Sequence, residues 1–315
     1  MKDFKGSFYG FLVGDAMGVP LEFEERRKLL ENPVTKMTGY GSYDVPKGSW
    51  SDDSSMMIAS MDSIISKNGI DYNDLMTKFS EWISYSKYTS TDEVFDIGRT
   101  TLKAIVRFQD GMDPLECGLA GENYNGNGSL MRMIPIAFYA YERELSGDDI
   151  VDLVYNVSSL THSHEISKLG CYIFVRYVMF LLDGFDKNKS YEFIKKLDYS
   201  FADFKVYDKY KRILKDDIMK KPLEEISSTG YIIDTLETVL WCVGNTSDFK
   251  KAIIGSINLG GDTDTIGALT GGVAGIIYGY ESIPKDWIND LQKQDYLKLM
   301  YTSFIKCLNK LKKNY

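Results

Sequence analysis

The sequence predicts an all-α protein, a compact single domain spanning residues 1–315 and built from roughly a dozen helices. Three observations predict this. Apolar residues recur at helical spacing through most of the chain, and the period-two alternation of strands is almost absent. Glycines fall every fourth residue in two segments, Gly6, Gly10, Gly14 and Gly18 near the start and Gly267, Gly271, Gly275 and Gly279 near the end, and on helices each set makes one bare ridge. The segment 165–183 contains the run CYIFVRYVMFLL, apolar enough for a helix at the centre of a core. No long-period repeat is visible.

Residues 4–18 read as the first helix, stopped by Pro20. A glycine in a helix interior costs roughly 1 kcal/mol against alanine, so two such ridges imply close packing, and the expectation is that they lie against each other. In Val19-Pro20-Leu21-Glu22-Phe23, Glu22 stands among apolar residues. It is either partly buried, with a partner or a task, or an exposed prelude to the charged run 24–28. Breakers between 30 and 50 predict a loop, and Ser51-Asp52-Asp53 then opens a helix from Met56 to about Ser66. Segments 72–88 and 92–109 read as amphipathic helices. The turn Asn125-Gly126-Asn127-Gly128 leads into an apolar helix from Ser129. A glycine-rich loop at a helix N-terminus can offer N–H groups to an anion, although Asn-Gly turns are common without ligands.

A helix over 147–160 ends at Thr161-His162-Ser163-His164, which holds both histidines of the chain. With no cysteine or further histidine nearby they make a poor zinc site. They either contact a ligand or are satisfied within the structure. Residues 184–229 are polar and predict short surface helices. Further helices follow from Gly230-Tyr231 to about Cys242, over 247–258, along the second glycine ridge, and as a pair over 286–312.

The stretch Gly261-Asp262-Thr263-Asp264-Thr265 sets two carboxylates and two hydroxyls at the head of a helix. It fits a hard-oxygen metal site, and helix capping explains it equally well. Asp52 and Asp53 project about 100° apart on a helix, so they can face two ions, or an ion and a cap. Brought together, Glu22, Asp52, Asp53, Asp262 and Asp264 would repel strongly unless divalent cations neutralised them. An all-oxygen set favours Mg²⁺ or Mn²⁺ over Zn²⁺, and two aspartate clusters suggest two ions.

The net charge of −8 argues against general nucleic-acid binding. The four cysteines, at 117, 171, 242 and 307, form neither a zinc motif nor a disulfide framework. No signal-peptide pattern precedes the first helix, and the apolar run of the second ridge falls short of the roughly 20 residues needed to span a membrane. The expectation is a reduced, cytoplasmic monomer.

In order along the chain, GFLVGDAMGVPLEF, GSWSDDSSM, GNGSLMRMIPIAF, THSH, STGYIIDTLETVLW and NLGGDTDTIGALTGGVAGIIYG resemble the motifs of the ADP-ribosylglycohydrolases. The resemblance covers most of the chain. It is closest to the branch of dinitrogenase reductase-activating glycohydrolase and ADP-ribosylarginine hydrolase. It implies an all-α fold with a binuclear Mg²⁺ or Mn²⁺ centre in a cleft. Ser51, Asp52 and Asp53 would ligate from one side, and Asp262, Asp264 and Thr265 from the other. Glu22 would lie near the metals. Gly126, Asn127, Gly128 and Ser129 would bind ADP-ribose, with His162 and Tyr231 lining the same cleft. The implied reaction cleaves the C1″ glycosidic bond of an ADP-ribosylated protein or a small ADP-ribosyl conjugate through an oxocarbenium-like transition state. Glu22, Asp53 or Asp262 would then serve as acid or base. The family's Thr-Asp-Asp-Thr reads Ser-Asp-Asp-Ser here, and residues 184–229 match no family motif. Among linkages, arginine is favoured over serine, O-acetyl or nucleobase. The intact acidic set favours an enzyme over a non-catalytic ADP-ribose-binding relative.

Overall fold

The computed structural model describes residues 2–313. Among these there are sixteen α-helices, seven short 3-10 helices and no strand. The helices are α1 (Lys2–Gly18), α2 (Arg26–Glu31), α3 (Asp52–Lys67), α4 (Tyr72–Tyr85), α5 (Arg99–Gln109), α6 (Met133–Glu142), α7 (Gly147–Ser159) and α8 (Glu165–Leu182). They continue as α9 (Lys187–Ile194), α10 (Phe204–Lys209), α11 (Lys211–Leu214), α12 (Ile232–Gly244), α13 (Phe249–Ile257), α14 (Thr263–Tyr278), α15 (Lys285–Asp290) and α16 (Gln294–Lys313). The expected C-terminal pair is α15 and α16, the short helices expected in 184–229 are α9, α10 and α11, and α2, of 6 residues, stands where no helix was expected.

The two glycine ridges do meet. α1 and α14 run antiparallel, with Gly6 against Gly275, Gly10 against Gly271 and Gly14 against Gly267. A β-carbon added at any of these would overlap the opposing carbonyl. The ridge ends differently from its sequence period. Gly279 faces nothing and instead ends α14 in a positive-φ conformation, φ 79°. At the other end Gly18 lies against the backbone of Thr263 and Asp264. The Thr263 hydroxyl donates to the Gly18 carbonyl at 2.8 Å, which ties the head of α14 to the end of α1. This close approach sets the acidic head of α14 against the end of α1. α8 is the buried central helix its composition predicts, with Leu169 to Val175 all buried.

Elsewhere the boundaries move. The helix expected over 92–109 begins only at Arg99, because Asp92 and Asp96 adopt positive φ (62° and 53°) and turn the preceding segment into a loop. The helix expected to 88 stops at Tyr85, where Ser86 takes a left-handed cap. The segment after Gly126 tightens into a 3-10 turn, Asn127–Arg132, before α6 starts. Residues 184–229 are less superficial than their polarity suggested, since Tyr191, Tyr210 and Ile213 are fully or nearly fully buried.

Candidate active site

Three helix ends form the floor of one cleft. α3 is capped by Ser51, whose hydroxyl accepts the Asp53 N–H at 3.3 Å. Asp15, on α1, reaches across to take the N–H groups of Ser51 and Ser54, each at 3.0 Å, and the Ser54 hydroxyl at 2.5 Å. Asp15 therefore caps a helix that is not its own and fixes where Asp52 and Asp53 stand. From α14, Thr265 donates to Asp53 Oδ2 at 3.2 Å, beside the Ser51 hydroxyl at 3.1 Å.

Asp15 apart, the carboxylates are not spent on capping. Asp262 precedes α14 but makes no side-chain capping bond. Asp53 Oδ1 and both oxygens of Asp264 are buried and have no hydrogen-bond partner. Orphaned buried anionic oxygens are costly, and these converge. Asp15, Asp53 and Asp264 each offer an oxygen within 4.8 Å of the others, and so do Glu22, Asp96 and Asp264. Burial, then the neighbouring carboxylates, pushes Asp52, Asp53 and Asp264 well above the ordinary aspartate range. Glu22 is pushed up to about 9, by burial first and Asp96 second, against the Tyr43 hydroxyl that donates to it at 2.7 Å. Such a set cannot remain ionised without added positive charge, so its donor chemistry and unpaired oxygens fit hard divalent cations.

One wall of the cleft is the 125–129 loop. It is stitched to the start of α12 by Asn127 N–H to Gly230 carbonyl and Ile232 N–H to Asn125 carbonyl, both 3.0 Å. The Asn127 amide donates to Asp262 Oδ2 at 2.5 Å and to the Thr235 hydroxyl at 2.9 Å. One side chain thus joins the wall to the acidic floor. The cleft has a volume of ≈ 800 Å³ and runs from Glu22, Asp52 and Asp262 past Gly126, Asn127 and Gly128 to His162. His162 is buried, and burial followed by the nearby Arg132 charge holds its pKa down at about 3. It enters the cleft as a neutral ring. His164 instead caps α8 through Nδ1, 3.2 Å from the Ile166 N–H.

Two expected residues sit elsewhere. Ser129 turns its hydroxyl into the core, where it meets Cys171 Sγ at 3.3 Å and accepts from Ser158 at 3.0 Å. The 3-10 turn rotates it away from the cleft that Gly126–Gly128 line. Tyr231 pairs by backbone with Gly126, but the residue is 37% exposed and is not among those lining the cleft. Conversely, Asp15, Tyr43 and Asp96 join the acidic floor without having been singled out. Asp15 is the one acid of the apolar, glycine-rich GFLVGDAMG motif, and was legible there. Tyr43 and Asp96 come from loops with no local signal. Arg26, the first residue of α2, was not singled out either; it donates to the carbonyls of Leu259 and Ile226, each at 2.7 Å, and to the Ser228 hydroxyl at 2.9 Å. It pins the 223–230 segment as the opposite rim.

A fold of glycine-locked helices around a buried acidic floor that could hold metal, opening into a long cleft, fits the class of metal-assisted hydrolases. The family model for ADP-ribosylglycohydrolase matches residues 2–311, and the chain belongs to this family of glycohydrolase enzymes. It is 31% identical to ADP-ribosylarginine hydrolase Tri1 of Serratia proteamaculans, over 92% of this chain and 75% of that protein. It is 30% identical to the ADP-ribosyl-[dinitrogen reductase] glycohydrolase of Rhodospirillum rubrum, over 91% and 89%. Mouse ADP-ribosylhydrolase ARH3 is 24% identical, over 90% and 86%. A solved structure titled ADP-ribosylglycohydrolase-related protein complex superposes with a TM-score of 0.80 at 26% identity, covering 98% of this chain and 99% of that one. No helix among the described residues is long and apolar enough to cross a membrane.

Proposed function

We propose that this chain, acting as one domain over residues 1–315 and as a monomer, removes ADP-ribose from arginine side chains with the help of two Mg²⁺ or Mn²⁺ ions. The observation that carries the reading is the pair of acidic triads sharing Asp264, whose buried oxygens lack partners. Asp53 and Asp264, with the Ser51 and Thr265 hydroxyls beside them, would hold one ion. Glu22, Asp96 and Asp264 would hold the other, with Asp52 and Asp262 offering further oxygens from the cleft lining. Bound there, the ions supply positive charge that holds the distal ribose hydroxyls and lowers the pKa of water.

The chain's own residues do the rest. N–H groups of the 125–129 loop and the His162 ring would take the pyrophosphate and adenosine half of the substrate, which sets C1″ over the acidic floor. Glu22, with its raised proton affinity, is poised to carry a proton to the leaving group or to take one from the attacking water. The Tyr43 hydroxyl orients it by donating to Oε2. Support for arginine over other linkages comes from two relatives whose names specify arginine or dinitrogen reductase, at about 30% identity.

The test is release of ADP-ribose from arginine-linked and serine-linked conjugates, each with Mg²⁺ and with EDTA. The expected result is metal-dependent release from the arginine conjugate. Release from the serine conjugate alone would reject the linkage, and EDTA-insensitive release would reject the metal.

A further inference from the structure

A fully buried guanidinium lies behind the cleft wall, and the proposed reaction does not use it. Arg132 has no exposure and, among the described residues, no carboxylate partner; its guanidinium lies 5.0 Å from the centre of the Phe79 ring. Its Nη1 donates to the Gly128 carbonyl at 2.9 Å. Its Nη2 donates to the Val157 carbonyl at 3.0 Å and to the Thr161 hydroxyl at 2.9 Å. The Thr161 hydroxyl lies 2.8 Å from His162 Nδ1. Burying an unpaired cation is costly, and three neutral acceptors offset that cost only in part.

The direction of this chain follows from donor counts. Arginine can only donate, so Thr161 Oγ1 must accept from it. The hydroxyl proton has no other acceptor among the described residues, and leaving it unpaired in a buried site is unfavourable. It is therefore given to Nδ1. A ring that accepts at Nδ1 and is too close to a buried cation to take a second proton carries its one proton on Nε2. Nε2 makes no hydrogen bond to any described residue and stands at the cleft wall beside Gly126 and Gly128; a β-carbon added at Gly126 would lie 3.7 Å from it.

We propose that Arg132, through Thr161, fixes His162 in the Nε2–H tautomer, so that the ring is a permanent hydrogen-bond donor to an anionic oxygen of the bound substrate. Arg132 and Thr161 are positioning residues, and the same arginine anchors the Gly128 carbonyl so that wall and ring move as one unit. The donor role rests on the reading of the cleft as an ADP-ribose site; the tautomer does not.

The experiment is ¹⁵N NMR of the two histidines, together with calorimetric titration of ADP-ribose in Mg²⁺. Wild type is expected to show His162 as the neutral Nε2–H form across pH 5.5–8. Thr161→Val keeps the shape and removes the hydroxyl, and Thr161→Ser restores it. Valine is expected to shift the ring toward the Nδ1–H form, to weaken ADP-ribose about tenfold, and to raise KM by more than it lowers kcat. Serine is expected to restore all three. In a His162→Gln background, where the amide donates without help, Thr161→Val is expected to have little further effect on binding. A wild-type ring protonated on Nδ1, or valine binding ADP-ribose as well as threonine, would overturn the proposal. Wild-type protein that shows the Nε2–H ring but does not bind ADP-ribose would overturn the reading of the cleft, and the donor role with it.

Discussion

Replacing Gly10 by alanine tests whether the glycine ridge is an architectural device or an accident of composition. Intrinsic propensity says the substitution should help, by about 1 kcal/mol in a helix interior. The structure says the reverse. The added methyl at Gly10 overlaps the Gly271 carbonyl oxygen and stands 3.0 Å from both the carbonyl carbon and the Phe249 ring. The main obstacle is backbone, so no rotamer change relieves it. Overpacking of this kind costs about 1–3 kcal/mol, and a rigid neighbour puts it near the top of that range. The net effect is a loss of about 2 kcal/mol. For 315 residues, at about 2.1 cal/mol/K each, the unfolding entropy is about 0.66 kcal/mol/K, so Tm should fall by about 3 °C. Gly255 is the internal control. It lies in α13 with nothing within 4 Å of an added β-carbon, so Gly255→Ala should raise stability by up to about 1 kcal/mol. Urea midpoints of the two variants, measured side by side, decide the matter. If both alanines stabilise the protein to the same degree, the ridge does not set the α1–α14 distance and the reasoning fails.

Other consequences follow from the acidic floor and its supports. In EDTA, stability should fall as pH rises. Glu22 ionises near 4.5 when unfolded but only near 9 when folded, so between those values the folded state holds a proton that the unfolded state has released, and each pH unit costs up to about 1.4 kcal/mol per such group. Saturating Mg²⁺ should flatten that slope; denaturation midpoints at pH 5.5 and 8.5 would show it, and a rising EDTA curve would contradict the argument. Asp264→Asn should leave the metal-free protein at least as stable as wild type and abolish Mn²⁺ binding in calorimetry, because it removes the charge shared by both triads. Asn127→Ala should weaken metal about tenfold by releasing Asp262, and unchanged Mn²⁺ affinity would remove the clamp from the account. Tyr43→Phe should lower kcat several-fold with metal affinity intact, and a displaced alkaline limb in the pH profile would mark Glu22 as the group it tunes.

What the sequence made legible depended on whether its signal was local. The glycine ridges could be paired from the residue pattern alone because period and chemistry matched: two bare faces, each costly alone, have an evident mutual remedy. The acids at 52, 53, 262 and 264 stood out because each cluster opens a helix, where carboxylates have a defined direction. Asp96 gave no such sign. It sits in a loop read as helix, and its place beside Glu22 and Asp264 depends on a positive φ at its own position and on contacts far away in sequence. Arg26 was hidden differently, inside a charged run whose ordinary reading is a solvated face. Its neighbour Arg27 obeys that reading, with a side chain 87% exposed. The two differ by the 100° turn of one helix step, which aims one guanidinium at three acceptors from the 226–259 region and the other at water. A run of charges therefore conceals a structural arginine whenever the helix carrying it lies against another segment. In this fold Arg26 ties the start of two family motifs, at Ser228 and Leu259, to Ile226 just outside them, and the 224–230 segment so held forms the rim across from the 125–129 loop.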